Sequence, residues 1–234
     1  MKNIKIDIAL SLNNNKENTF GNEYTSGKIK TLNFLYLEAP VMKDLRFAGL
    51  FMAVGKLKEG TKETVYVRGN YGGNFYYNHD NLNVKAGGFY QTGKNARGGD
   101  VGAWMYNAEV GYKAGIFSAG AGAEVLSGDD PDDPGKDQMF DLFYGARHKY
   151  YGYLDYFSNL PVATAGGGLT DLFFRTGVII SEKHNVLIDY HYFMLSQDAV
   201  VTSGETTTVL DDRSLGNEID LTYKVNLLKD IQIQ

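Results

Sequence analysis

The chain has 234 residues, of which 43% are hydrophobic and 22% are charged, and its formal net charge is −5. This mild negative charge argues against a nucleic-acid partner, and the absence of cysteine excludes disulfides, thiolate zinc sites and cysteine nucleophiles. No run approaches the roughly 18 apolar residues of a transmembrane helix. A membrane protein built from strands shows no such run either, because only alternate residues face the lipid.

The first segment shows the period of the pattern: Ile4, Ile6, Ile8, Leu10 and Leu12 alternate with Lys5, Asp7, Ala9 and Ser11. A period of two with one apolar face is typical of a half-buried strand. The pattern recurs at Val65–Tyr77, Leu82–Gln91, Trp104–Lys113, Phe117–Val125, Leu172–Ile180, Val186–Met194 and Ile219–Leu227. Two segments that are apolar on both faces, Lys30–Ala39 and Leu45–Leu57, are also expected to be strands. We therefore predict about ten strands, with an eleventh that begins at Asp230.

Strand length and the polar face favour a membrane barrel over a soluble sandwich. The predicted strands run about 11–14 residues, against roughly 5–6 in soluble sheets, and strands of this length cross a bilayer when tilted. Their polar faces carry both charge signs together with asparagine, as a water-filled lumen would. Aromatic side chains cluster near strand ends, as in the girdles of such barrels: Tyr76, Tyr77, Tyr90, Tyr112, Phe117, Tyr190 and Tyr192. The fold predicted is all-β, an antiparallel meander forming a transmembrane β-barrel.

The predicted connections differ in length at the two ends of the strands. The short ones are Asn78–Asp80, Ala114–Gly115 and Ser181–His184, and the long ones are Asn13–Gly27, Gly93–Asp100, Ser127–Thr170 and Gln197–Ser214. This arrangement is typical of outer-membrane barrels. Strand pattern begins almost at Met1 without a signal peptide, and the chain stops inside a strand. We expect residues 1–234 to be one barrel domain, a fragment without its N-terminal strands and its last C-terminal strand.

Several spaced motifs resemble one known family. They are Gly87–Lys94 (GGFYQTGK), Gly120–Asp130 (GAGAEVLSGDD), His148–Phe157 (HKYYGYLDYF), Gly168–Leu172 (GLTDL), Asp189–Phe193 (DYHYF) and Leu215–Leu221 (LGNEIDL). In this order they resemble the C-terminal portion of the alginate-export family of outer-membrane β-barrels, in its Bacteroidetes-type form. The resemblance implies a monomeric barrel in the outer membrane of a Gram-negative bacterium, with membrane lipid and an anionic polysaccharide as its partners.

The longest predicted loop carries a cationic and aromatic tract. Arg147, His148 and Lys149 precede Tyr151 and Tyr153. Folded into the lumen, such a tract would attract and stack a chain of sugar acids, since arginine pairs with carboxylates in a bidentate manner. Alternatively, these residues only hold the loop in place through ion pairs. Because a loop of this length is seldom without structure or function, we expect residues 137–170 to fold inward.

Five cations fall on the polar faces of the predicted strands: Arg68, Lys85, Lys113, Arg175 and Lys224. If they project together, they form an electropositive track for polyanions. The same faces carry the carboxylates Glu109, Glu124, Asp171, Asp189, Glu218 and Asp220. A lumen of mixed charge with cross-strand ion pairs is therefore the alternative.

An acidic tract stands in the longest loop: Asp129, Asp130, Asp132 and Asp133. Clustered carboxylates suit Ca²⁺, although the spacing is not that of an EF-hand. The alternative is a solvated acidic loop that binds no metal, and no other cofactor is expected.

Catalytic motifs are absent from the sequence, so we expect no enzyme, although a strand-borne acid–base pair at Asp189 and His191 stays open. The function predicted is a passive outer-membrane conduit for an anionic polysaccharide or oligosaccharide. A general porin for small solutes and a soluble β-sandwich binding module are the alternatives.

Overall fold

The computed structural model describes residues 4–13, 29–61, 64–143, 151–203, 206–210, 212–228 and 231–233. Its long strands are β1 (Lys5–Leu12), β2 (Ile29–Met42), β3 (Leu45–Leu57), β4 (Val65–His79), β5 (Leu82–Lys94), β6 (Asp100–Ala114), β7 (Phe117–Leu126), β9 (Leu169–Ser181), β10 (His184–Met194) and β13 (Ser214–Leu228). The short elements are β8 (Lys136–Asp137), α1 (Leu160–Ala163), β11 (Ala199–Ser203), β12 (Thr206–Leu210) and β14 (Ile231–Ile233). No helix among the described residues has the length and hydrophobicity to cross a membrane.

The strands form a twelve-stranded sheet in which each long strand pairs antiparallel with the next one along the chain. The predicted meander is therefore confirmed, and its β3 has the predicted bounds, Leu45–Leu57. Within the described ranges, β1 bonds only to β2 and β14 only to β13, so the sheet is not closed as a barrel. The separate hairpin of β11 and β12 was not predicted, because its sequence lies in a segment that we interpreted as a loop.

The two faces of the sheet differ in chemistry. One face, here the outer face, carries the predicted apolar rows, and its large side chains are exposed, with Leu10 at 81%, Ile219 at 69% and Phe174 at 49%. A soluble sandwich buries such rows against a second sheet. Among the described residues, these rows instead stay exposed. The opposite, inner face carries most of the charged residues of the strands, since partners in the ladder share a face.

Six of the seven predicted girdle aromatics lie on the outer face. Tyr76 is the exception and corrects the prediction, because it is directly opposite Arg46 and Lys85 on the inner face. The Arg46 guanidinium lies 4.2 Å from the centroid of the Tyr76 ring. A strand reverses face at each residue, so adjacent tyrosines such as Tyr76 and Tyr77 cannot both face outward.

Connections at one end of the sheet have two residues each: Lys43–Asp44, Asp80–Asn81, Gly115–Ile116 and Glu182–Lys183. Asp44, Asp80 and Gly115 adopt positive φ angles of 66°, 48° and 60°, which aspartate and glycine tolerate in tight turns. At the opposite end the connections are longer, from five residues at 95–99 to the connection that spans residues 127–168. The predicted asymmetry between short turns and long loops is confirmed.

Candidate functional site

The connection 127–168 is here called the inner loop, and its described parts, 127–143 and 151–168, pack onto the inner face. Their apolar side chains join those of the strands in one buried cluster: Ala103, Leu126, Met139, Phe140, Tyr151, Phe157, Leu160, Leu169 and Phe193. The rings of Phe157 and Phe193 lie 4.5 Å apart between centroids. The prediction that residues 137–170 fold inward is confirmed for the described parts 137–143 and 151–168.

The first described part is fixed by Gln91 of β5, whose side chain is fully buried. Its Oε1 accepts hydrogen bonds from the Asp141 main-chain N at 3.0 Å and from Arg68 Nη2 at 2.7 Å, and its Nε2 donates to Asp141 O at 2.6 Å. Arg68 also donates to Met139 O at 2.6 Å and forms an ion pair with Asp137 at 3.1 Å. This constellation, the Gln91 anchor, binds the main-chain groups Met139 O, Asp141 N and Asp141 O.

The second part is fixed by carboxylates of β13. Glu218 Oε1 accepts a hydrogen bond from Leu154 N at 2.9 Å, and Asp220 Oδ2 accepts one from Tyr153 N at 3.3 Å. Gly152 has a φ of 78°, and a Cβ at this position would come within 2.6 Å of the Glu218 carboxyl group. The loop therefore passes close to β13, and a side chain at position 152 would require the Glu218 carboxyl group to move.

Two further polar pairs lie under the loop. The Tyr151 hydroxyl donates to Glu124, and His191 Nδ1 contacts the Asp171 carboxylate at 2.9 Å. Tyr151, Asp171 and His191 are exposed by 3%, 1% and 3%. Glu124 and Asp171 are directly opposite each other in the ladder of β7 and β9. Each of these two carboxylates binds a partner of its own, Tyr151 for Glu124 and His191 for Asp171.

All five predicted cations lie on the inner face, but the structure divides them into two groups. Arg68 is held in the Gln91 anchor, and Arg175 forms ion pairs with Glu109 at 3.2 Å and Asp189 at 3.8 Å. Lys85, Lys113 and Lys224 form no ion pair within the described ranges. The paired arginines agree with a lumen of mixed charge, whereas the three lysines leave positive charge available to a solute.

The other predicted residues have separate outcomes. Arg147, His148 and Lys149 lie outside the described residues, so their role stays a prediction. Tyr151 is buried at Glu124, but the Tyr153 side chain is 53% exposed, and its hydroxyl accepts a hydrogen bond from Thr222 Oγ1 at 3.2 Å. The acid–base pair that the sequence left open, Asp189 and His191, has other partners, since Asp189 pairs with Arg175 and His191 with Asp171.

The carboxylates of the acidic tract bind main-chain groups of their own loop. No three acidic or histidine side chains in the described part of the chain come together as ligands. Asp129 Oδ1 instead accepts hydrogen bonds from the main-chain N of Gln138 and Met139, and Asp130 Oδ1 accepts one from Asp132 N. The geometry favours the alternative of an acidic loop whose carboxylates stabilise its own turns.

Some residues of the site were missed by the sequence analysis. Gln91 was interpreted only as one polar position of β5, and Glu218 and Asp220 only as mixed lumen charge. The sequence indicated only that these polar side chains share one face of the sheet. Their partners are remote in sequence, since Asp141 is 50 residues from Gln91 and Leu154 is 64 residues from Glu218.

Comparison with known proteins identifies the family. Residues 42–234 match the family model described as Alginate export, which covers most of the chain. No curated protein matches the chain.

The Gln91 anchor gives a test of how the loop is held. We expect Gln91→Leu to destabilise the protein by about 2–3 kcal/mol, because it leaves buried donors and acceptors of Asp141 and Arg68 unpaired. Hydrogen exchange of amides 137–143 should accelerate. Gln138→Leu is the matched control, since Gln138 bonds through its main chain. Equal exchange rates in both variants would contradict this account.

Proposed function

Because the chain belongs to the alginate export family, a family of outer-membrane β-barrel channels, we propose that it is a passive conduit for an anionic polysaccharide or oligosaccharide. The observation that carries this proposal is the inner loop, which is hydrogen-bonded at both described parts to the polar face of the sheet. A loop in this position narrows the path of a solute along that face. It also leaves lysines of the same face beside the path.

The outer face is the proposed contact with membrane lipid. Its exposed apolar rows extend from Ile4 on one side of the sheet to Tyr223 on the other. In water these side chains would be costly to expose, whereas lipid chains solvate them, and the strand ladder satisfies the main-chain groups. This supports placement in the outer membrane of a Gram-negative bacterium. We propose that the protein acts there as a monomer without a nucleic-acid partner.

Attraction of polyanions is assigned to Lys85, Lys113 and Lys224. Lysine ammonium groups along a polar wall concentrate anions near the path, and the attraction weakens as salt screens it. Arg175 adds to this field, although Glu109 and Asp189 offset part of its charge. Arg147 and Lys149 stay the cations that the sequence predicts for the loop itself.

A general porin for small solutes is the second candidate. The pairing of Arg68 and Arg175 with carboxylates favours it, because a lumen whose charges cancel selects weakly between ions. We propose no catalytic step in either case, since Asp189 and His191 are each held by another partner.

The assignment of the two faces is tested at neighbouring positions of β9. The chain has no cysteine, so single spin labels can be introduced through Phe173→Cys and Phe174→Cys. In proteoliposomes of the full-length protein, we expect lipid-soluble oxygen to broaden the signal at 174, and a water-soluble nickel chelate to affect 173 more. Access of the chelate to both positions would contradict the lipid-facing assignment.

Charge selectivity tests the proposed substrate class. In planar bilayers under a KCl gradient, we expect the full-length channel to prefer anions. The triple variant Lys85→Met, Lys113→Met, Lys224→Met should lower the anion-to-cation permeability ratio severalfold, because it removes the unpaired positive charge of the inner face.

Lys43→Met is the control for the lysine variant, since Lys43 lies in a two-residue turn. A cation-selective channel, or a ratio unaffected by the triple variant, would remove the polyanion proposal. A polyuronate that fails to block the current would instead favour the small-solute porin.

The position of the inner loop is tested at Gly152. A valine there requires an unfavourable backbone angle and collides with Glu218, so we expect the loop to leave β13 and the single-channel conductance to rise. Gly60→Val is the matched control, because Gly60 has nearly the same φ, 77°, but nothing within 4 Å of its added Cβ. An equal conductance in both variants would show that the loop does not narrow the path.

A further inference from the structure

A small cavity lies between the inner loop and the sheet. Its volume is about 250 Å³, and it is lined by polar side chains of β5, β6, β7 and β9 together with Tyr151 of the loop. The volume is below the roughly 300–1,000 Å³ of pockets for drug-sized ligands. It equals the space of about eight liquid waters, which suits one sugar ring rather than a length of polysaccharide.

The cavity has a buried floor and an accessible rim. Asn107, Tyr151 and Asp171 form the floor, with exposures of 9%, 3% and 1%. At the rim, the side chains of Glu109 and Arg175 are exposed by 32% and 37%. A solute moving along the inner face therefore meets the rim before the floor.

Two groups of the cavity have unused hydrogen-bonding capacity. Asn107 Oδ1 is buried and has no hydrogen-bond partner among the described residues. Lys85 lies opposite Glu109 in the ladder, but Glu109 pairs with Arg175 and not with Lys85. An acceptor without a donor and an ammonium without an ion pair thus line the same space.

The charge of the lining decides what the cavity takes. Three carboxylates, Glu109, Glu124 and Asp171, line it with two cations, Lys85 and Arg175. A carboxylate ligand would add a further negative charge to this set. A hydroxyl group instead suits both unused groups, because it donates to an amide oxygen and accepts from an ammonium.

Aromatic stacking adds little here. The guanidinium of Arg175 covers the Phe173 ring at 4.2 Å from its centroid, so this face of the ring is occupied. We infer that the cavity is a binding site for a single sugar ring, recognised through its hydroxyl groups at Asn107 and Lys85 and not through a carboxylate. The inference depends on the proposed function in one respect, namely that a conduit for saccharides brings sugar rings to the cavity.

The test compares D-glucose with D-glucuronate, two rings that differ only at C6, which is a hydroxymethyl group in glucose and a carboxylate in glucuronate. Saturation-transfer difference NMR with the full-length protein in micelles should show glucose binding, with glucuronate no tighter. Asn107→Leu and Lys85→Met should each weaken glucose binding about tenfold, as expected for the loss of one hydrogen bond to a buried or charged group. Asn83→Leu and Lys56→Met, on the same face outside the cavity, are the matched controls.

Each outcome has a defined meaning. Absence of glucose binding, or binding that both cavity variants leave unchanged, would overturn the inference. Binding of glucuronate alone, lost in Lys85→Met, would overturn it in favour of a carboxylate site. Folding is checked by the migration of unboiled samples on gels, and Lys85→Met keeps the test decisive if Asn107→Leu fails to fold. Glucose binding in a channel that proves cation-selective would support the inference while the polyanion proposal fails.

Discussion

The alternation of side chains along a strand is the constraint on which the rest of this structure depends. Because each residue faces opposite to its neighbour, Phe174 is exposed on the apolar face while Phe173 and Arg175 lie on the charged face. The ladder carries this choice from strand to strand, since residues paired in register share a face. A single sheet can then present an apolar surface on one side and a wall of charged groups on the other.

This constraint also explains what the sequence could predict. Strand positions, the meander and the short turns follow from local patterns, and Leu45–Leu57 was predicted at its observed bounds. Tyr76 was assigned to the wrong face because its position was judged by nearness to a strand end and not by the period of two. The inward fold of the inner loop followed from its length and its tyrosines, but the residues that hold it did not. Gln91 meets Asp141 only through tertiary packing, and no local pattern records such a contact.

The same limit applies to the candidate site. The five cations of the inner face were identified from alternation alone, yet the sequence did not tell which of them are neutralised. Arg68 and Arg175 bridge to carboxylates from other elements, whereas Lys85 does not, although it lies directly opposite Glu109. Facing carboxylates such as Glu124 and Asp171 would repel each other. They are tolerated because a tyrosine and a histidine on different elements each bind one of them.

The long connection between β7 and β9 has a consequence for the order of assembly. Most strand pairs are joined by short connections, so their contacts are local and their hairpins form at low entropic cost. Pairing of β7 with β9 has to close a segment of about forty residues, which costs roughly 2–3 kcal/mol more than closing a two-residue turn. On the basis of loop-closure entropy, we expect β7 and β9 to pair after the hairpins on either side have formed. The buried contacts of the inner loop offset part of this cost, so the segment proposed to narrow the path also helps to hold the two halves of the sheet together.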